Sequence, residues 1–387
     1  MPDLPRTDRR AVRAWRARRH FLHGDPAGAP EEVARRLLGV QAQVTSAAEQ
    51  AVAVRGPGPG EVREALRRGS LVRTWAARGT LHLLEAGQAP DVLALLAAAR
   101  TWEKGAWQRE FATSTEIGRL GELVTELLPG RTLTRDELVA ELAAHVDDHL
   151  TAKLSSGWGT LLKPLAWQGL LVNGAPRGGR PTFAAPADVV AGWDGLPGPD
   201  EAAPRVVEAY LGAYGPASPA TFDEWLLRGA TARATLRRWF AELTDAGTLS
   251  PVEVHDPDGP TVTLHARTHD LEALCGPAPG PPGDEVRLLP AFDQWILGPG
   301  TKDPHVVPAA HRRDVSRAAG WIAPVVLRDA RVVGIWEAGP EGPAVTLFAG
   351  EPALPAAALD AERDRWRAIE AARTGTRDAT PPVGGND

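Results

Sequence analysis

The chain has 387 residues, 43% of them apolar and 24% charged, with a formal net charge of -6. That length provides for two or three domains, and the acidic balance argues against indiscriminate nucleic-acid binding. A single cysteine, Cys275, excludes an intrachain disulfide or a cysteine-built zinc site. No apolar run reaches the roughly 18 residues of a membrane span, and the N-terminus lacks a signal-peptide core, so a cytoplasmic protein is expected.

In chain order, residues 8–22 read as a helix with Val12, Trp15 and Phe21 among arginines. Arg6, Arg9, Arg10, Arg13, Arg16, Arg18 and Arg19 stand against Asp8 alone, a pattern that fits either phosphate contacts or the coding bias of a GC-rich genome. PEEVARRLL then reads as a short helix, with Glu31 and Glu32 in its first turn and Gly39 as its stop. If the backbone breaks at Gly39 and runs extended over Val40–Val44, Gln41 and Gln43 face the same way, two neutral amides on one side. On a helix they diverge by about 200° and cannot act together. The plainer alternative is two surface glutamines after a helix. EVREALRRG is a further helix, and LVRTWAARGTLHLL is two extended pieces bent at Gly79. Residues 90–111 read as one tryptophan-bearing helix.

Helices followed by a hairpin recur twice more. EIGRLGELVTELL, then TRDELVAELAAHV with its Thr134/Glu137 capping box, then GWGTLLKPLAWQGLL precede a hairpin tipped by Arg177 and Arg180. After a Pro/Gly-rich connector come PRVVEAYLGAYG, SPATFDEWLL with Ser218 as N-cap, and TARATLRRWFAELTDAG carrying Arg237 and Arg238. The hairpin after it turns at Asp258-Gly259. From residue 284 the pattern turns β-rich and closes with a helix. The expected fold is α+β: three tandem winged-helix units at 1–112, 113–191 and 200–272, a β-rich part with terminal helix at 284–372, and a disordered tail at 373–387.

Several residues then suggest a family. LLGVQAQ, VRTWAARGTLHLL, YLGAYGPASPATFDEW and LLPAFDQWILG, with the later RVVGIW, resemble in content and order the winged-helix DNA glycosylases of the AlkZ and YcaQ type. The resemblance implies that Gln41 and Gln43 are the catalytic pair. A second glutamine, where the YcaQ branch has aspartate, sets the chain nearer the AlkZ branch. The GPGTKDP segment departs from the pattern: Lys302-Asp303 stands where members often carry an Asp-Arg pair.

The implied activity is a monofunctional DNA glycosylase that hydrolyses the N-glycosidic bond of alkylated, cationic purines, bulky adducts and interstrand crosslinks included. No cofactor and no metal are implied. The partner is double-stranded DNA carrying alkylated bases, met by a monomer at the nucleoid, with no membrane and no obligate protein partner. The rival is a non-catalytic winged-helix DNA-binding or regulatory protein.

Arg78, His82, Arg177, Arg180, Arg237 and Arg238 are the candidate DNA contacts. Asp293, in the AFDQW segment, reads as a loop brace. His145 with His149 has helical metal-site spacing but sits beside Asp147 and Asp148, which reads as a solvated helix end. His265 and His269 share a face only if their strand continues. A loop or wing-tip aromatic is expected to support an unstacked base.

Overall fold

The computed structural model describes residues 4–155, 159–257, 259–276, 285–339 and 342–378. Asp258 of the expected turn, the start of GWGTLLKPLAWQGLL and residues 379–387 lie outside them. The described strands, in chain order, are β1 (Arg6–Asp8), β2 (Val40–Gln41), β3 (Leu71–Trp75), β4 (Leu81–Glu85), β5 (Thr132–Thr134), β6 (Val172–Arg177) and β7 (Arg180–Ala184). They continue with β8 (Leu249–His255), β9 (Val262–Arg267), β10 (Val286–Leu289), β11 (Val325–Arg328), β12 (Arg331–Gly339) and β13 (Gly342–Leu347).

Helices followed by a hairpin do recur three times, but the first set is not the expected one. Pro30–Arg36, Thr45–Ala53 and Pro59–Arg68 precede β3–β4. The helix over Thr45–Ala53 was not foreseen, although its four alanines favour it. The N-terminal segment belongs elsewhere in space. β1 pairs parallel with β8, Thr7 opposite Val254. The helix Arg9–Arg19 turns Val12 and Trp15 onto Val252, Val254, Ala266 and Leu274 of the third set. A stripe of apolar residues specifies that a helix must be covered, not by which distant strand.

The first two hairpins are not separate either. β3 and β6 join, Arg73 opposite Asn173, to give one sheet in the order β2-β4-β3-β6-β7-β5. Across that seam Trp75 stacks on Phe183 with ring centroids 5.8 Å apart. In the second set the Thr134 capping box forms, Thr134 Oγ1 accepting from Glu137 N. An extra helix, Asp148–Leu154, follows it, N-capped by Asp147. That cap separates His145 from His149, which therefore do not share a helix face. The third set follows expectation except that its first helix, Pro199–Tyr214, begins before Pro204, within the expected connector; Pro219–Leu227 with Ser218 Oγ accepting from Thr221 N at 3.1 Å, Arg233–Asp245 and then β8–β9 follow. β9 ends at Arg267, so His269 falls in a turn and the two histidines share no strand face.

Two further expectations are corrected. Residues 90–111 are two helices, Ala89–Ala98 and Gly105–Glu110, broken where Arg100 adopts φ +43°. The terminal helix, Ala356–Asp378, continues through residues 373–378, assigned to the tail. It covers the antiparallel sheet β10-β11-β12-β13, and Trp366 and Trp336 donate to the carbonyls of Leu288 and Leu289. The core of this C-terminal part also takes in Ala47, Ala53 and Val54, so the sheet rests against the helix that follows the glutamines.

Candidate active site

The four motif segments, spread over some 260 residues of sequence, meet around one strand end. The break at Gly39 is real. Leu38 and Gly39 take φ of +51° and +103°, and a Cβ on Gly39 would stand 2.7 Å from Leu84 Cδ2. Glycine is needed there for both reasons. The chain leaves the helix and enters β2, antiparallel to β4, with Gln41 opposite His82. Ala42 N donates to Leu81 O at 2.7 Å. By the alternation of an antiparallel ladder, Gln41 and His82 form the close, non-hydrogen-bonded pair.

The ladder then stops. Ala42 O accepts from Arg73 Nη2 at 3.0 Å, and Leu81 N donates to the side-chain Oε1 of Gln43 at 3.4 Å. Gln43 thus stands in for the next backbone acceptor. The bond is long, and a carbonyl oxygen keeps a second lone pair. The two glutamines do not lie open on one face as the spacing predicts. Gln41 is 7% exposed, with Oε1 buried and without a hydrogen bond, while Gln43 is exposed. A bend at residue 43, not a strand through Val44, causes the difference.

His82 is buried opposite Gln41. Its Nδ1 lies 2.9 Å from Thr80 O, and a carbonyl can only accept, so Nδ1 carries the proton. Nε2 is then a buried acceptor with no hydrogen bond among the described residues. Burial, and second the charge of Arg78, push the imidazole pKa down to about 3. His82 is therefore neutral at physiological pH. Arg78, at φ +58°, donates from Nη1 to Leu297 O at 2.7 Å, and burial lowers its pKa to about 10, so it stays cationic.

From the third set, Tyr214 Oη donates to Leu37 O at 2.6 Å, just before the break. From the C-terminal part, Asp293 forms a two-bond ion pair with Arg55, each bond 2.8 Å, both side chains 0% exposed. Asp293 also accepts from Trp295 N at 2.8 Å, and so is the loop brace that was expected. Arg55, Arg73 and Tyr214 were not singled out in the sequence. Their only signal was position inside or beside the motif segments.

Against this geometry, comparison with known proteins is direct. A sequence model described as "DNA glycosylase AlkZ-like" matches residues 34–375. The chain belongs to the AlkZ-like DNA glycosylase family. It is thus an enzyme acting on N-glycosyl bonds, with DNA as its partner. One AlkZ-like relative, the "Interstrand DNA cross-link repair glycosylase" of Streptomyces sahachiroi, is 45% identical over 362 residues, 91% of this chain and 94% of the relative. The solved structure of "Streptomyces sahachiroi DNA glycosylase AlkZ" superposes with a TM-score of 0.87 at 43% identity, covering 96% of this chain and 97% of that one. No described helix is long and apolar enough to cross a membrane. Among the described residues no group of three or more histidine, cysteine or acidic side chains could hold a metal ion.

The candidate DNA contacts of this AlkZ-like chain divide sharply. His82 is buried and Arg78 half-buried, and each is bonded to a backbone carbonyl of the protein. Their burial was invisible in a polar-looking RGTLH segment. Arg177 is held by Glu137 and by Thr132 O, and Arg238 by Asp200 and Glu242. Both side chains are about half exposed, so these ion pairs stand at the surface. Arg180 lies 3.8 Å from Asp136 with both side chains largely in solvent, and Arg237 is exposed on its helix.

The buried imidazoles make one prediction for stability. His20 is buried like His82, and desolvation first, with Arg55 next, holds its pKa well below 6.5. In the unfolded chain both protonate near the ordinary value. The unfolded state therefore binds more protons below about pH 6.5, for His82 down to about pH 3. Stability is complete above about pH 6.5 and falls with pH below it, by roughly 1.4 kcal/mol per pH unit per histidine. Urea unfolding at pH 7.5 and pH 5.0 should show a clearly lower midpoint at pH 5.0. Equal midpoints would show that the imidazoles take up protons without unfolding.

Proposed function

We propose that this chain is a monofunctional glycosylase that releases alkylated, cationic purines from duplex DNA, interstrand crosslinks included, with a water positioned by Gln41 and Gln43. The observation that carries the reading is the convergence of the two glutamines on the RGTLH strand. Gln43 is anchored at Leu81 N, and Gln41 lies opposite a histidine that is neutral.

The chemistry follows from the charge state. A base alkylated on a ring nitrogen is a cation and leaves as a neutral molecule, so it needs no general acid. His82, with its pKa near 3, cannot supply a proton at neutral pH. An ordinary purine, which leaves as an anion unless protonated, gains nothing here, and that difference gives selectivity. What remains is a sugar with oxocarbenium character and a water to attack it. The free lone pair of Gln43 Oε1 orients that water and sets a carbonyl dipole toward the developing positive charge. Gln41 Oε1 and His82 Nε2, both buried acceptors, suit a second O–H or N–H donor beside Gln43. Trp321, 41% exposed and edge-on to Phe292, provides a ring on which an unstacked base can rest.

In the same reading the three helix-and-hairpin sets are winged helices on duplex DNA, and the enzyme works as a monomer in the cytoplasm at the nucleoid. The name of the Streptomyces sahachiroi relative supports crosslinks as substrates. The test is base release from duplexes carrying N7-methylguanine or a nitrogen-mustard crosslink. Release from either establishes the reaction. Binding without release from both would make the chain a DNA-binding protein.

A further inference from the structure

The arginines near the N-terminus serve two purposes. Arg16 and Arg19 donate to Gly215 O and Gly212 O, at 3.1 and 2.7 Å, at the end of helix Pro199–Tyr214. There they satisfy carbonyls that a helix terminus leaves unbonded. The other half of the run is different. Arg9, Arg10 and Arg13 line a cavity of about 480 Å³ together with Arg331, His255 and His305. Its walls are the start of helix Arg9–Arg19, the end of β8 and residues 304–308.

The acidic groups of this cavity are Asp8 and Asp256, and both are engaged. Asp8 caps its own helix through Ala11 N at 2.8 Å. Asp256 lies 3.1 Å from His305 Nε2 and 3.8 Å from Arg9 Nε. Arg331 pairs with Glu351. Arg13 makes no hydrogen bond or ion pair among the described residues. Burial, and then the charge of Arg331, lower its pKa from the ordinary arginine value. Arg9 Nε is buried without a hydrogen bond. Arg13, half-buried among the like charges of Arg331, Arg10 and Arg9, with Asp8 committed to its helix cap, is stabilised by a bound anion. Several guanidinium forks around one space match the tetrahedral oxygens of a phosphate. The volume is that of a small-molecule site and admits a phosphate with a nucleoside attached.

We propose that this cavity is a phosphate-binding site, with Arg13 its central ligand and Arg9, Arg10 and Arg331 around it. It is separate from the glutamine pair. The far end of the same helix carries His20, packed 5.3 Å from Tyr214 and 5.2 Å from Trp295, beside the motif junction. Some three helical turns, roughly 15 Å, lie between the two ends. The phosphate belongs either to a DNA backbone flanking the lesion or to a free nucleotide.

The experiment compares wild type with Arg13→Glu, and with Arg13→Gln should the first fail to fold. One arm titrates deoxyguanosine monophosphate and inorganic phosphate by calorimetry, with chloride at matched ionic strength as control. The other measures duplex affinity against salt. A small-anion site predicts binding by wild type that weakens at least about tenfold in the variant, one charge-assisted contact being worth about 1.5–3 kcal/mol. A backbone site predicts a salt slope lower by about one unit in the variant. Variants indistinguishable from wild type in both arms would overturn the proposal. The nucleotide arm reads out without base release, so its failure is distinct from failure of the glycosylase reading.

Discussion

Gln43→Ala is expected to slow base release from a duplex carrying N7-methylguanine by about 10²–10³, the loss typical of removing one preorganised dipole from a transition state. The loss should fall on the chemical step in single-turnover kinetics, with duplex affinity nearly unchanged. Gln43 is exposed, so truncation leaves no cavity, and Leu81 N, released from Oε1, can bond to water. Stability should therefore move by less than about 0.5 kcal/mol, as for surface positions generally. That separates this variant from Gln41→Ala, which removes a buried amide facing His82 and mixes a catalytic loss with a structural one. A near-normal rate for Gln43→Ala would remove the residue from the mechanism, whatever the behaviour of Gln41.

Asp293→Ala should be the most damaging substitution for the fold. Among the described residues it leaves Arg55, fully enclosed, with only Ala51 O as an acceptor at 2.6 Å and no paired carboxylate. Removing one partner of a buried ion pair costs about 3–5 kcal/mol. The loss also frees Trp295 N and loosens the segment whose Leu297 O holds Arg78. Arg55 lies just after the helix that follows the glutamines, and Arg78 lies in the β3–β4 turn. The C-terminal part is thus pinned on both sides of the site by arginines, Arg55 buried and Arg78 half-buried. Denaturant unfolding checks the prediction, and base release should decline only as far as folded protein is lost. A midpoint shift of less than about 1 kcal/mol would mean that water enters and solvates Arg55, contrary to its enclosure.

Much of the local structure was legible in the residues themselves. Gly39 marks a backbone break, the Thr134 capping box and the Ser218 cap start helices, and alternating runs mark the hairpins. These are short-range effects of backbone sterics and of capping hydrogen bonds, settled within four or five residues. The glutamine pair was legible too, as a motif after a break, although its two side chains differ in exposure because the chain bends at residue 43.

Arginine was the least legible residue type. A guanidinium recognises acceptor oxygens, and a phosphate, a carboxylate and a helix-end carbonyl present these alike. Arg16, Arg19, Arg55 and Arg78 all find protein acceptors more than 190 residues away or in another set, Arg55 alone facing a carboxylate. Nothing in the N-terminal run distinguishes Arg16, which holds a carbonyl, from Arg13, which faces an open cavity.

By itself, the sequence determined the backbone break at Gly39, the capped helix starts at Thr134 and Ser218, which faces are apolar, and that four motif segments occur in a set order. The tertiary structure alone decided which surfaces those faces cover. It carried the N-terminal helix onto β8 and β9, joined two hairpins through Arg73 and Asn173, and buried His82 until it lost its charge. Such outcomes depend on partners far apart in the chain, and local propensity carries no record of a neighbour that only the completed fold provides.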